Sequence, residues 1–278
     1  MAKSLTVEFA KMHGAGNDFV VVDNRWYQFR DEELSKLAKA WCPRRYGIGA
    51  DGLLALAATD DEDVAYQMRY VNADGSWATM CGNGARCLAR FAVRAGMGAS
   101  PLRFVSDAGR YRAEVPPDDE APVRLYVPPA TRLTAQPGLD AAPPEGIEEV
   151  YFVHTGTEHL VAFVPHLEAV PVETWGRRLR QDPALSPAGA NVNFVAVTEG
   201  KLQVRTYEKG VEAETPSCGT GVLAAAVVAH ATDRVPPGRV TVHTPGGVLH
   251  VGPDSGGEEG QYLEGPVTTT FRGTVEVE

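Results

Sequence analysis

An internal repeat constrains this chain more than any other feature. His13-Gly14-Ala15-Gly16-Asn17-Asp18-Phe19-Val20 resembles His154-Thr155-Gly156-Thr157-Glu158-His159-Leu160-Val161, and Gly156 follows Gly16 by 140 residues. Gly49-Ala50-Asp51 is echoed by Gly189-Ala190-Asn191 at the same offset of 140. Cys81-Gly82-Asn83-Gly84 and Cys218-Gly219-Thr220-Gly221 then recur 137 residues apart. Three features in the same order at nearly constant spacing imply two copies of one unit. The expected fold is therefore α/β (α+β), with two pseudo-symmetric halves. Each half is a strand-rich unit wrapped around a central helix.

A chain of 278 residues can give each half its own core. The first half is expected over 1–129, with the C-terminal segment 266–278 free to return to it, and the second over 130–265. The proline-rich stretch 116–144, interrupted by the strand-like Val123–Val127, separates them. Spacing predicts a helix over Asp31–Trp41, from Leu34, Leu37, Ala38 and Trp41, and strands at Val64–Val71, Tyr151–Val153, Leu160–Val164, Asn193–Val197 and Leu202–Tyr207. The tail from Pro245 reads as short strands and turns at Gly246-Gly247 and Gly256-Gly257. A helix should follow each cysteine motif. The one after Cys218 is apolar on every side and should be buried all round. The one after Cys81 carries Arg86, Arg90 and Arg94 in a stripe, which reads as a solvated face.

A net charge of −10 argues against a nucleic-acid partner. No apolar run is long enough for a signal peptide at Met1–Thr6 or for a membrane span, so a cytoplasmic protein with no membrane partner is expected. Cys42, Cys81, Cys87 and Cys218 show no paired metal-ligand spacing, so no zinc site is expected and the thiols should be free. Cys42 and Cys87 read as buried packing residues.

A thiol at the first turn of a helix meets unpaired backbone N–H groups and the positive end of the helix dipole. Both favour thiolate, drawing the ionisation from about 8.5 toward neutrality. The following glycines let a carboxylate approach the same N–H groups. Two such thiols flanking one carbon can remove an α-proton from one face and deliver a proton to the other, with no metal or other cofactor. Asn17, Asn72, Asn83 and Asn191 are amides suited to an ammonium and a carboxylate together. Glu208 and Lys209 suit the charged ends of an amino-acid substrate, and His159 is placed to tune a thiol or meet a carboxylate.

The segments Lys11–Phe19, Asn72-Ala73-Asp74-Gly75-Ser76, Met80–Cys87 and Glu214–Gly221 together resemble the diaminopimelate epimerase family. The resemblance reaches Gly265-Pro266 and Phe271-Arg272-Gly273. It implies that fold, an active site between the halves, and cofactor-independent interconversion of LL- and meso-diaminopimelate in lysine and peptidoglycan precursor biosynthesis. By position it implies Cys81 and Cys218 as the acid/base pair, with His159 and Glu208 modulating the thiols. Gly82, Asn83, Gly219 and Thr220 would hold the reacting carboxylate. Asn17, Asn72, Thr157, Asn191, Glu208 and Lys209 would hold the rest of the substrate, in an enzyme that is often a homodimer.

The chain departs from the family at two points. Gly156-Thr157-Glu158-His159 stands where much of the family has Gly-Asn-Pro-His, and Glu208-Lys209-Gly210 where it has Glu-Arg-Gly. Lysine keeps the charge and loses the bidentate fork of arginine. The alternative within the same chemistry is a racemase of another amino acid, similar to histidine racemases. A cysteine hydrolase would leave one motif idle, and a non-catalytic amino-acid-binding module would tolerate the loss of either cysteine.

Overall fold

The computed structural model describes residues 4–254 and 260–277. Met1–Lys3 and the Gly256-Gly257 turn lie outside the described residues. The chain divides into two compact units, one made of 1–125 with 265–278 and the other of 126–264.

The first unit opens with β1 (Leu5–Gly14), β2 (Asn17–Asp23), a short helix α1 (Asn24–Tyr27), α2 (Asp31–Trp41), β3 (Gly52–Ala57), β4 (Tyr66–Asn72) and β5 (Trp77–Ala78). It continues through α3 (Gly82–Arg94), β6 (Leu102–Ser106), β7 (Gly109–Glu114) and β8 (Val123–Val127), within which the boundary falls. The second unit holds β9 (Thr131–Ala135), β10 (Glu149–His154), β11 (Glu158–Phe163), α4 (Val172–Arg180), β12 (Asn191–Thr198), β13 (Lys201–Glu208), β14 (Ala213–Thr215), α5 (Gly219–Ala231), β15 (Val240–Thr244), β16 (Gly247–Pro253) and β17 (Gln261–Gly265). Strand β18 (Thr268–Val277) returns to the first unit and pairs with β1 from Leu5 with Val277 to His13 with Thr268, with one bulge between Lys11 and Met12.

The repeat is carried into strand order. In the first unit β1 and β2 form a hairpin, β2 lies parallel to β3, β3 antiparallel to β4, β4 antiparallel to β5 and parallel to β6, and β6 antiparallel to β7. In the second, β10 and β11 form the hairpin, β11 lies parallel to β12, β12 antiparallel to β13, β13 antiparallel to β14 and parallel to β15, and β15 antiparallel to β16. Parallel pairs need a crossover. Helices α2 and α4 supply one and α3 and α5 the other. The hairpin turns differ by one residue: Ala15 and Gly16 link β1 to β2 at φ 51° and 83°, whereas Thr155-Gly156-Thr157 links β10 to β11 with Gly156 at φ 92°. Positive φ at both positions of a two-residue loop is the twist-matched hairpin turn.

Alternation along the strands divides each unit into two packed faces. Val20, Val22, Leu53 and Ala55 face α2 and meet its Leu34, Leu37, Ala38 and Trp41. Leu160, Ala162, Val192 and Phe194 face α4 with its Val172 and Leu179. Gly176 is needed there, because a Cβ would stand 2.3 Å from Tyr207 Cβ. The intervening residues face α3 and α5: Gly84 lies against Phe19 and Leu54, and Gly221 against Asn193 and Thr206. Helix α5 is buried along nearly its whole length, as its composition requires.

Helix α3 corrects the expectation of a solvated arginine stripe. Arg86 and Arg90 are buried, and only Arg94 is partly exposed. The Arg90 guanidinium donates to the carbonyls of Pro116 (2.6 Å), Asp118 (3.0 Å) and Ala121 (2.7 Å), which replace its water. A buried arginine is tolerated when its two terminal nitrogens are satisfied in this way. The proline-rich stretch also holds more structure than its composition indicates, because it contains β9, which pairs with β10 beyond it. Helix α4 has no counterpart in the sequence reading, and β18, ten residues long, exceeds the short strands expected of the tail.

Candidate active site

Both cysteine motifs place sulfur at the start of a helix. Cys81 is the N-cap of α3, with extended backbone (φ −143°, ψ 119°), and accepts from the Gly84 N–H at 3.5 Å. Cys218 caps α5 with φ −106° and ψ 109°. Gly82-Asn83 and Gly219-Thr220 form the first turn in each case, where backbone N–H groups lack helical partners. Among the described residues all four cysteines are free thiols, and Cys42 and Cys87 are buried. Burial pushes each of these two up to about 12, which leaves them inert.

In the first unit Asn17, Cys81 and Asn83 meet. Asn17 Oδ1 lies 3.4 Å from Cys81 Sγ and 3.4 Å from Asn83 Nδ2. Asn17 Nδ2 donates to Asp51 at 2.7 Å. Asp51 accepts from Arg44 (2.8 Å) and from the Asp18 N–H (3.1 Å), while Asp18 itself is held by Arg44 and Lys11. Burial would raise the Asp18 carboxyl, but the hydrogen bonds from Arg44 and Lys11 outweigh it and hold it at about 2. Asn72, at the end of β4 opposite Gly52, donates to Ser76 Oγ at 3.0 Å. It thus sits in the turn that the Asn72–Ser76 motif makes, one residue before Ala73, whose N–H donates to the Asp51 carbonyl.

In the second unit the α5 face of the sheet is polar where it meets Gly221. His159, Asn191, Asn193 and Thr206 are buried there. Asn193 is fully engaged: it accepts from Thr206 Oγ1 (2.9 Å) and donates to Leu160 O (2.9 Å) and His159 Nδ1 (3.0 Å). That arrangement makes Nδ1 the acceptor and puts the neutral ring's proton on Nε2. Its Nε2 faces Asn191 Nδ2 at 3.5 Å, and burial drives His159 down to about 3, so it is neutral at physiological pH. Asn191 accepts from the Lys209 N–H at 2.9 Å, which ties β12 to the end of β13. Glu208 accepts from Thr215 Oγ1 at 3.0 Å, and Cys218 Sγ lies 3.4 Å from Thr220 Oγ1.

The two departures from the family meet in one contact. Lys209 Nζ donates to Glu158 Oε2 at 2.6 Å, and Thr157 Oγ1 donates to the same oxygen at 3.2 Å. Burial would raise Glu158, yet the hydrogen bond from Lys209 holds it at about 2. The lysine charge is thus answered inside the protein.

Asp51, Arg86, Glu158, Asn193 and Thr206 are not assigned to the site by the sequence alone. Asn193 was detectable, because it stands two residues after Asn191 in a strand and so shares its face. The others depend on which side chains the sheet brings together. His159 also carries a testable consequence. Unfolded histidine takes a proton below about 6.5, whereas folded His159 does not until about 3. The unfolded state binds more protons over that interval, so stability falls as pH drops from 6.5 toward 3. His250 is lowered too, by burial, and adds to the slope. Urea unfolding at pH 7, 6 and 5 should show this decline, and His159→Gln should reduce it.

A model of the family described as diaminopimelate epimerase matches twice, over residues 9–133 and 151–270. The chain belongs to the diaminopimelate epimerase family. A diaminopimelate epimerase of Chlorobaculum tepidum is 41% identical over 268 residues, covering 95% of this chain and 99% of that one. The diaminopimelate epimerase of Aquifex aeolicus is 36% identical over 284 residues, covering 98% and 99%. Among solved structures, a Bacillus anthracis phenazine biosynthesis protein of the PhzF family matches with TM-score 0.75 at 14% identity, covering 98% of this chain and 99% of that one. A hydroxyproline epimerase from Agrobacterium vitis, with trans-4-hydroxy-L-proline bound, matches with TM-score 0.66 at 17% identity, covering 98% and 93%. These structural likenesses support the fold: mixed α and β in two repeated halves. No helix among the described residues is long and apolar enough to cross a membrane.

Proposed function

We propose that this member of the diaminopimelate epimerase family interconverts LL- and meso-diaminopimelate by two-thiol acid/base chemistry. The observation that carries this reading is that two buried helices, one in each copy of the repeat, both begin at a cysteine N-cap followed by glycine. One cysteine as thiolate takes the α-proton: the C–H bond breaks and an S–H bond forms. The other cysteine releases its S–H proton to the opposite face of the carbon, inverting it. The intermediate α-carbanion needs its charge drawn onto the carboxylate. Each well-placed N–H at Gly82-Asn83 and Gly219-Thr220 would contribute roughly 3–4 kcal/mol. Asn17, Asn72, Thr157, Asn191, Glu208 and Lys209 hold the rest of the substrate, and His159 and Glu208 bear on the thiols. The reading places the protein in the cytoplasm, in lysine and peptidoglycan precursor synthesis, as a homodimer.

The test is chiral chromatography of LL-diaminopimelate incubated with reduced protein. Appearance of the meso isomer, and the reverse from meso, supports the reading. Racemisation of histidine with diaminopimelate untouched would replace it with the histidine-racemase alternative.

Because Glu158 already occupies Lys209, a substrate carboxylate has to compete for the lysine. Glu158→Gln should therefore lower KM for diaminopimelate roughly three- to tenfold with kcat little changed, the signature of altered uniform binding. Steady-state kinetics on the two proteins checks this.

A further inference from the structure

We propose that Arg86 is a positioning residue of the proposed epimerisation. Its buried guanidinium has no carboxylate partner among the described residues, grips the Gly82-Asn83 turn, and sets a positive charge behind the place of the reacting carboxylate. The role rests on the epimerase reading above, which gives that turn to the substrate. Arg86 is fully buried on α3. Its Nη2 donates to Asn83 Oδ1 at 2.7 Å and its Nη1 to the Gly82 carbonyl at 3.3 Å, while Nε has no acceptor. Burial lowers its pKa to about 10, so it keeps its charge at neutral pH. The ionisable groups that act on that charge are Cys87 and Cys81, with no carboxylate among them.

Arg90, one turn further along α3, shows how this fold accommodates a buried arginine. Three carbonyls meet its terminal nitrogens, and Asp119 stands 3.7 Å from Nη1. Arg86 has one carbonyl and no carboxylate, and an uncompensated charge in the interior is costly. Helix packing does not require it either. The fifth residue after Cys81 is Arg86 and the fifth after Cys218 is Leu223, which is likewise buried, on α5. The repeat accepts an apolar side chain at this place, so the charge at Arg86 answers to something other than packing. The Gly82 carbonyl and the Asn83 N–H are the two ends of one peptide group, and in a trans peptide they point in opposite directions. A guanidinium on the oxygen polarises that peptide and strengthens its N–H as a donor. Negative charge grows on the substrate carboxylate as the α-proton leaves. The stabilisation is therefore greater in the transition state than in the ground state, and it belongs in kcat more than in KM.

The test compares Arg86→Leu, which copies the α5 residue, with Arg86→Lys, which keeps the charge, and Arg86→Gln, which keeps a donor without it. Each reduced protein is assayed for kcat and KM on LL-diaminopimelate, and for Tm by calorimetry. Arg86→Leu should lower kcat about ten- to hundredfold with KM within about threefold of wild type. Its Tm should equal or exceed that of wild type, because a buried charge without a counter-ion has been removed. Arg86→Lys should exceed Arg86→Gln in kcat by about tenfold. An arginine with only a structural role would give the reverse, a lowered Tm in Arg86→Leu with kcat of the folded protein unchanged. That result, or equal kcat in Arg86→Lys and Arg86→Gln, would overturn the role while wild type remains an active epimerase. If Arg86→Leu does not fold, the comparison of Arg86→Lys with Arg86→Gln decides. Wild-type protein that leaves diaminopimelate unchanged would overturn the epimerase reading and this role with it.

Discussion

Replacing Cys81 by alanine is expected to lower diaminopimelate epimerisation by about a hundred- to ten-thousand-fold, and Cys218→Ala by a similar factor. In the proposed mechanism each variant removes the group that handles the proton on one face of the carbon. The loss should come from chemistry rather than from folding. The Cys81 cap to Gly84 is long, at 3.5 Å, so its removal should cost no more than about 1 kcal/mol. Cys218 is buried against its own helix turn, and alanine there deletes a single heavy atom. Chiral chromatography with circular dichroism on the same samples separates the two causes. The competing functions give different patterns: a hydrolase would need one cysteine and tolerate loss of the other, and a binding module would tolerate both losses.

The largest expected effect on stability lies at Gly221. A Cβ there would stand 2.1 Å from Asn193 Oδ1, 3.2 Å from its Cγ and 3.3 Å from Thr206 Oγ1. Asn193 cannot yield without breaking its bonds to Thr206, Leu160 and His159, all of them buried. Gly221→Ala therefore combines overpacking with loss of buried hydrogen bonds, and should cost about 3 kcal/mol. For a chain of this size that lowers Tm by roughly 6–12 °C. Asn193→Ala opens the space that the new methyl needs, so the double variant should be more stable than the sum of the single losses indicates. Calorimetry on the three proteins checks this, and an unchanged Tm in Gly221→Ala would show that Asn193 has another place to go.

The repeat was the most legible part of this chain, because it rests on residues whose backbone roles are restrictive. Gly16 and Gly156 both occupy positive φ in hairpin turns, and Gly49 and Gly189 do so ahead of β3 and β12. The two motif helices followed from their place after the cysteines and the helix Asp31–Trp41 from apolar spacing, although its N-cap is Arg30, one residue before the Asp31 that the sequence suggests. Helix α4 was missed because Gly176 and three arginines interrupt its apolar pattern, and the glycine is there for its approach to Tyr207. The arginine stripe on α3 misled for a related reason. Spacing shows which residues share a face but not what covers it, and carbonyls from 116–121 cover Arg90. Within the candidate site, residues lying in recognisable motifs could be named from sequence. Asp51 and Arg86 could be named but not connected, because the contacts that link them join β2, the start of β3 and α3. The Glu158–Lys209 pair joins positions 51 residues apart, where strand register decides the meeting.

The most direct measurement of two-thiol epimerisation is proton NMR of LL-diaminopimelate with the reduced protein in D₂O. Two-thiol epimerisation requires loss of the α-proton signal with formation of meso-diaminopimelate, and neither in the Cys81→Ala and Cys218→Ala proteins. An α-proton that persists in the presence of folded, fully reduced wild-type protein would contradict it.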